Sequence, residues 1–148
     1  MKISRQIVKF FPNGQRNYLH RFILSLSKHT SILIDYYRKK NKSSTRLVEL
    51  SRQYRFCISV ITKLEILVGV NTENKDFWNN VLNLIQVIPV NDRVVEKASE
   101  IIVELKKSNQ IIEIQDILIA STAIVKHVKI ATLNLRHFER IKGLEFIK

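Results

Sequence analysis

One helix-length run limits the fold of this chain more than any other feature. Asp116 is followed by Ile117-Leu118-Ile119-Ala120-Ser121-Thr122-Ala123-Ile124, eight residues without a charge. A helix with no clean polar face cannot lie at a surface and has to be covered, here most simply by a β-sheet. Asp116 stands at its head, and the next acid in the chain is Glu139. Burying a charge is costly unless something pairs with it, so this carboxylate marks a candidate site. Taken alone, Asp116 also reads as a helix cap.

The flanking segments alternate between strand and helix. Strands are predicted at 22–26, 56–60, 86–90, 129–132 and 144–147, where short apolar runs end in turn residues. Helical spacing predicts helices at 30–39 (Ile32, Leu33, Tyr36, Tyr37), 45–52, from Ser59 or Thr62 to about Val70, 74–84, from Asn91-Asp92 to about Lys107, and from Gln115/Asp116 to about Lys126. A further turn of helix is predicted at 134–140. Thr30 or Ser31 would cap the first helix, and the other Ser and Thr residues also read as caps. This alternation implies parallel βαβ units, an α/β fold.

A chain of 148 residues is one domain of ordinary size. The longest apolar runs are far too short to cross a bilayer, and the first twenty residues have no signal-like apolar core, so no membrane association is expected. The single Cys57, in Phe56-Cys57-Ile58, reads as a buried structural thiol and suggests a cytoplasmic protein. Charge is unevenly distributed. Residues 1–64 carry fourteen Lys and Arg against two acids, Asp35 and Glu49, whereas residues 65–148 carry eleven of each. The net charge of +12 therefore belongs to the first part of the chain, either as a solvated basic surface or as a face for a polyanion such as nucleic acid.

In open parallel sheets, sites form beyond the carboxyl ends of the strands. His29, Glu65 and Leu133/Asn134 fall there, and Asp116 heads a helix that can face the same edge. Glu65 has Ile61, Thr62, Val68 and Gly69 as helical neighbours, an apolar setting for an acid. Glu65 and Asp116 in one cleft would repel unless a cation lay between them. Oxygen ligands of that kind suit Mg²⁺ or Mn²⁺, and such a pocket beside a basic surface suits phosphodiester hydrolysis.

From Thr30 onward the chain resembles a PIN domain of the VapC type, the toxin ribonuclease of type II toxin–antitoxin pairs. Four segments carry the resemblance: Thr30-Ser31-Ile32-Leu33-Ile34-Asp35-Tyr36; Ile58-Ser59-Val60-Ile61-Thr62-Lys63-Leu64-Glu65-Ile66-Leu67-Val68-Gly69; Ile114-Gln115-Asp116-Ile117-Leu118-Ile119-Ala120; and Ala131-Thr132-Leu133-Asn134-Leu135-Arg136-His137-Phe138-Glu139-Arg140 with Ile141-Lys142-Gly143-Leu144. The resemblance implies a three-layer α/β/α PIN-like domain over residues 22–148, with a central parallel sheet. It implies RNA cleavage with Mg²⁺ or Mn²⁺ and inhibition by a cognate antitoxin protein; a homodimer is also expected.

Carried over residue by residue, Glu65 and Asp116 match the second and third metal-site acids of the family. His29 stands where the first is expected, and Asn134 is an acceptable auxiliary oxygen ligand. His137, near Asn134, offers only nitrogen. An imidazole is a poor Mg²⁺ ligand and suits Mn²⁺ or Zn²⁺ better, so impaired activity is expected, with a catalytically inactive binder of RNA or antitoxin as the alternative. Asp35 reads as support for local structure. Residues 1–21 read as an atypical basic leader, and the stretch up to His29 has six basic residues and no acid, as from an altered start or a shifted reading frame. The four histidines have no spacing typical of zinc sites, and His127 reads as a helix-end residue. The basic run at 38–42 is a solvated loop or a contact for RNA phosphate or an acidic antitoxin segment. Phe77 and Trp78 are core residues or the wall of a groove for an antitoxin helix or second protomer.

Overall fold

Strand β1 (Phe22–Ser25) is followed by helix α1 (Ile32–Arg38), a 3₁₀ turn (Lys42–Ser44) and α2 (Arg46–Leu50). Strand β2 (Arg55–Ser59) runs straight into α3 (Val60–Val68), followed by α4 (Lys75–Leu84), β3 (Gln86–Ile88) and α5 (Asp92–Lys107). The last elements are α6 (Ile114–Lys126), β4 (Lys129–Ala131) and the single turn α7 (Leu135–Phe138). The computed structural model describes residues 22–25, 32–133 and 135–147. The proposed leader, the caps Thr30 and Ser31, and the site candidates His29 and Asn134 lie outside the described residues.

The four strands pair in parallel in the order β3-β2-β1-β4. Alternation along β2 separates two cores, because successive side chains of a strand point to opposite faces. Phe56 and Ile58 join Ile32, Leu33, Tyr36, Leu47, Phe77, Trp78 and Val81 on one face. Cys57 joins Ile88, Ala98, Ile101, Leu105, Ile117, Ile119, Ala120 and Ile130 on the other. Helices therefore cover both faces of the sheet, giving three layers. Seven α6 residues are buried, as the absence of a polar face required.

Capping follows local chemistry. The Ser59 hydroxyl accepts from the Ile61 N–H at 3.2 Å, and the Asn91 side chain accepts from Val94 N–H at 3.2 Å. Other hydroxyls depart from the capping expectation. Ser121 and Thr122 sit inside α6 and donate to the carbonyls of Ile117 and Leu118, both at 2.7 Å. A buried hydroxyl in an apolar helix has no other acceptor within reach, so it turns back on its own backbone. The predicted last strand at 144–147 reduces to a single parallel bridge between Ile130 and Phe146. The α6 helix begins at Ile114, slightly earlier than expected, with Asp116 as its third residue.

At its other end, α6 stops at His127, which takes a left-handed conformation (φ 52°, ψ 42°). The His127 N–H donates to Ile124 O at 3.1 Å and the Val128 N–H to Ala123 O at 3.0 Å, the paired bonds that close a helix terminus. Lys42 does similar work for α1: its ammonium donates to the carbonyls of Tyr36 and Tyr37 and lies 5.1 Å from the Tyr36 ring centroid. Burial pulls the Lys42 pKa down. In the same run Lys39 pairs with Asp35 at 3.1 Å, matching the supporting role expected of that acid.

Candidate metal and RNA site

Strand order puts the site at one edge. The chain moves outward from β1 through β2 to β3, then crosses back to place β4 on the other side of β1, which makes a switch point between β1 and β4. Helix α3 leaves the carboxyl end of β2 with no connecting residue, so it starts on that edge. Helix α6 joins the amino end of β4 through two residues and runs back against it, so its first turn, carrying Asp116, returns to the carboxyl edge. The two helices pack together there. Ile61 of α3 lies against the core containing Ile117 and Ile119.

Asp116 is 7% exposed, one of few buried charged or polar residues in the described part of the chain. Its Oδ2 lies 3.2 Å from His137 Nε2 on α7. In the sequence, His137 offers only nitrogen and does not stand out as a site residue. Its contact with Asp116 depends on the tertiary placement of α7, and no spacing rule predicts it. Both carboxylate oxygens of Glu65 are buried although the residue as a whole is only partly so. The Thr62 hydroxyl, three residues earlier on α3, is also buried and has no hydrogen-bond partner among the described residues.

A cavity of about 580 Å³ opens beside Glu65. Its walls include Glu65, Gln115 (the neighbour of Asp116), Arg38, Tyr37 and Trp78, with Leu64 and Val68 at the rim. Trp78 is 5% exposed and packs edge-on against Phe77, with ring centroids 4.9 Å apart, so it serves core and cavity wall at once. No group of three or more His, Cys, Asp or Glu side chains able to hold a metal occurs among the described residues. Among the described residues, the candidate oxygen ligands are the Glu65 and Asp116 carboxylates. Cys57 is fully buried, and burial pushes its thiol pKa up to about 12, which removes it as a thiolate ligand.

The PIN domain family model matches residues 29–144. Ribonuclease VapC1 of Methanocaldococcus jannaschii is 34% identical over 114 residues, which is 76% of this chain and 78% of that protein. Ribonuclease VapC1 of Rickettsia felis is 36% identical over 126 residues, 80% of this chain and 91% of that protein. The chain belongs to the PIN-domain family, as one of its VapC-type members. The fold agrees with the crystal structure of DNA-bound VapBC from Salmonella typhimurium, at a TM-score of 0.72 and 23% identity, covering 86% of this chain and 96% of that one. No helix among the described residues is long and apolar enough to cross a membrane.

Proposed function

We propose that this protein is a VapC-like toxin endoribonuclease, hydrolysing RNA phosphodiesters with a divalent cation held by Glu65 and Asp116. The observation that carries the proposal is a buried carboxylate, Asp116, at the carboxyl edge of a parallel sheet in a VapC-type chain. The donors fit a hard cation. Carboxylate oxygens are its preferred ligands, and the Thr62 hydroxyl three residues before Glu65, without a hydrogen-bond partner among the described residues, is suited to a hydrating water. His29 would take the place of the first acid and Asn134 would be an auxiliary ligand. Nitrogen at position 29 favours Mn²⁺ over Mg²⁺.

When bound, the cation lowers the pKa of water and screens charge developing on the phosphate. The protein supplies orientation and charge. His137 steadies the Asp116 carboxylate at 3.2 Å, as partners of ligating carboxylates commonly do. The basic excess of residues 1–64 draws in the polyanion. A cognate antitoxin would cover the cavity beside Glu65, where Leu64 (57% exposed) and Val68 (80% exposed) offer an apolar rim. We place the protein in the cytoplasm, as a homodimer when free of antitoxin.

A second reading, an inactive binder of RNA or antitoxin, is favoured by His29 standing where the resemblance expects an acid. Incubating the purified chain with single-stranded RNA and Mn²⁺ or Mg²⁺ separates the two. The nuclease reading expects cutting that chelation stops and that Asp116→Asn abolishes. RNA binding without cutting, with or without metal, would replace it by the binder.

A further inference from the structure

A second cavity, of about 480 Å³, lies on the other side of His137 and belongs to neither the acid pair nor the apolar rim. It is lined by Ile111, Ile112, Glu113, Arg136, His137 and Arg140. Arg136 and Arg140 are four residues apart, the second just past the end of α7, and both open into this one concavity. Both are exposed, and neither pairs with a carboxylate among the described residues, although Glu113 shares the wall and Glu139 is adjacent in sequence. Two guanidiniums without carboxylate partners among the described residues, set together in a concave wall, match the planar oxygen edge of a phosphate.

Position makes the pocket specific. His137 lines it and also lies 3.2 Å from Asp116, so its cations begin one side chain away from the acid site. A polyanion laid across an acidic site needs positive charge beside it, because carboxylates and phosphates repel. Charge totals by halves hide this feature. Residues 126–148 carry six Lys and Arg against two acids, an excess balanced by residues 65–125, which carry nine acids against five Lys and Arg.

We propose that Arg136 and Arg140 form a phosphate-binding subsite that holds the RNA backbone next to the scissile bond. This inference rests on the nuclease reading above. The two arginines are positioning residues: they fix the strand in register, and the chemistry stays at the acids. Ile111, 59% exposed in the same wall, gives the adjoining sugar or base an apolar surface.

The test is binding of a fluorescein-labelled single-stranded RNA dodecamer to the full chain in EDTA, which prevents cutting, across a series of salt concentrations. Losing two phosphate contacts should make the slope of log affinity against log salt shallower by about 1.4, since each contact on single strands contributes roughly 0.7. Affinity at the lowest salt should fall by about tenfold in R136Q/R140Q. The R136K/R140K variant should keep the slope because the charge remains, while losing part of the affinity with the fork geometry. Arg93→Gln, at an exposed position on α5, should change neither. An unchanged slope in R136Q/R140Q, in a protein whose wild type binds RNA and cuts it with Mn²⁺, would overturn the subsite and leave the nuclease reading standing. A wild type that neither binds nor cuts RNA would overturn both.

Discussion

Replacing Asp116 by Asn should separate metal binding from folding. The side chain is 7% exposed and ends 3.2 Å from His137 Nε2, so the near-isosteric amide keeps its volume and an acceptor oxygen facing the imidazole. What disappears is a negative charge on an apolar helix, whose burial opposes folding. In metal-free buffer the variant should therefore melt within about 1 kcal/mol of the wild type. Metal changes the comparison. A ligand at one hundred times its dissociation constant stabilises the folded state by about 2.7 kcal/mol. For a chain of 148 residues each kcal/mol is worth roughly 2–4 °C, so Mn²⁺ should raise the wild-type Tm by about 5–11 °C. In Asp116→Asn only Glu65 remains of the described acid pair, and the rise should shrink to roughly 1–2 °C or less. Differential scanning fluorimetry over a Mn²⁺ titration, with a chelator control, reads both numbers. A variant with the full wild-type rise would show that the cation binds elsewhere, and the acid-pair argument would fail.

Two further outcomes test the frame that holds the site. His127→Gly should raise Tm by about 2–4 °C, because the residue holds a left-handed conformation that costs a non-glycine side chain roughly 1 kcal/mol, and its exposed ring gives up little packing. An unchanged or lower Tm would mean that the imidazole makes compensating contacts. Cys57 should resist a thiol reagent at pH 8 until the protein unfolds, since its thiol is fully buried with its pKa pushed up to about 12. The folded state keeps the proton that the unfolded thiol loses near 9, so this group stabilises fully below pH 9 and loses that contribution as pH rises toward 12. Rapid labelling under native conditions would contradict the burial.

Much of the architecture can be read along the chain because it depends on local patterns. The uncharged run after Asp116 demands a covered helix, strands alternating with helices demand a parallel sheet, and Asn91 and Ser59 cap the helices that follow them. Pattern and structure differ at the last strand because Leu144-Glu145-Phe146-Ile147 has strand-like residues but pairing is a tertiary matter, and only Phe146 bridges to β4. Of the candidate site, the acids Glu65 and Asp116 stand out by sequence because each carboxylate occurs among apolar neighbours. Parallel strands alternating with helices already direct both toward the carboxyl edge, whereas the pairing of α3 with α6 there depends on how the elements pack. The contact between His137 and Asp116, and the gathering of Arg136 and Arg140 in one wall, depend on the side of the sheet to which the chain returns after β4. Periodicity reports which face of an element is buried, whereas contacts between side chains twenty residues apart depend on how whole elements pack. For this protein the sequence determined the kind of fold and singled out two acids as site candidates, and the tertiary structure decided which imidazole stands beside Asp116 and which cations share a wall with that imidazole.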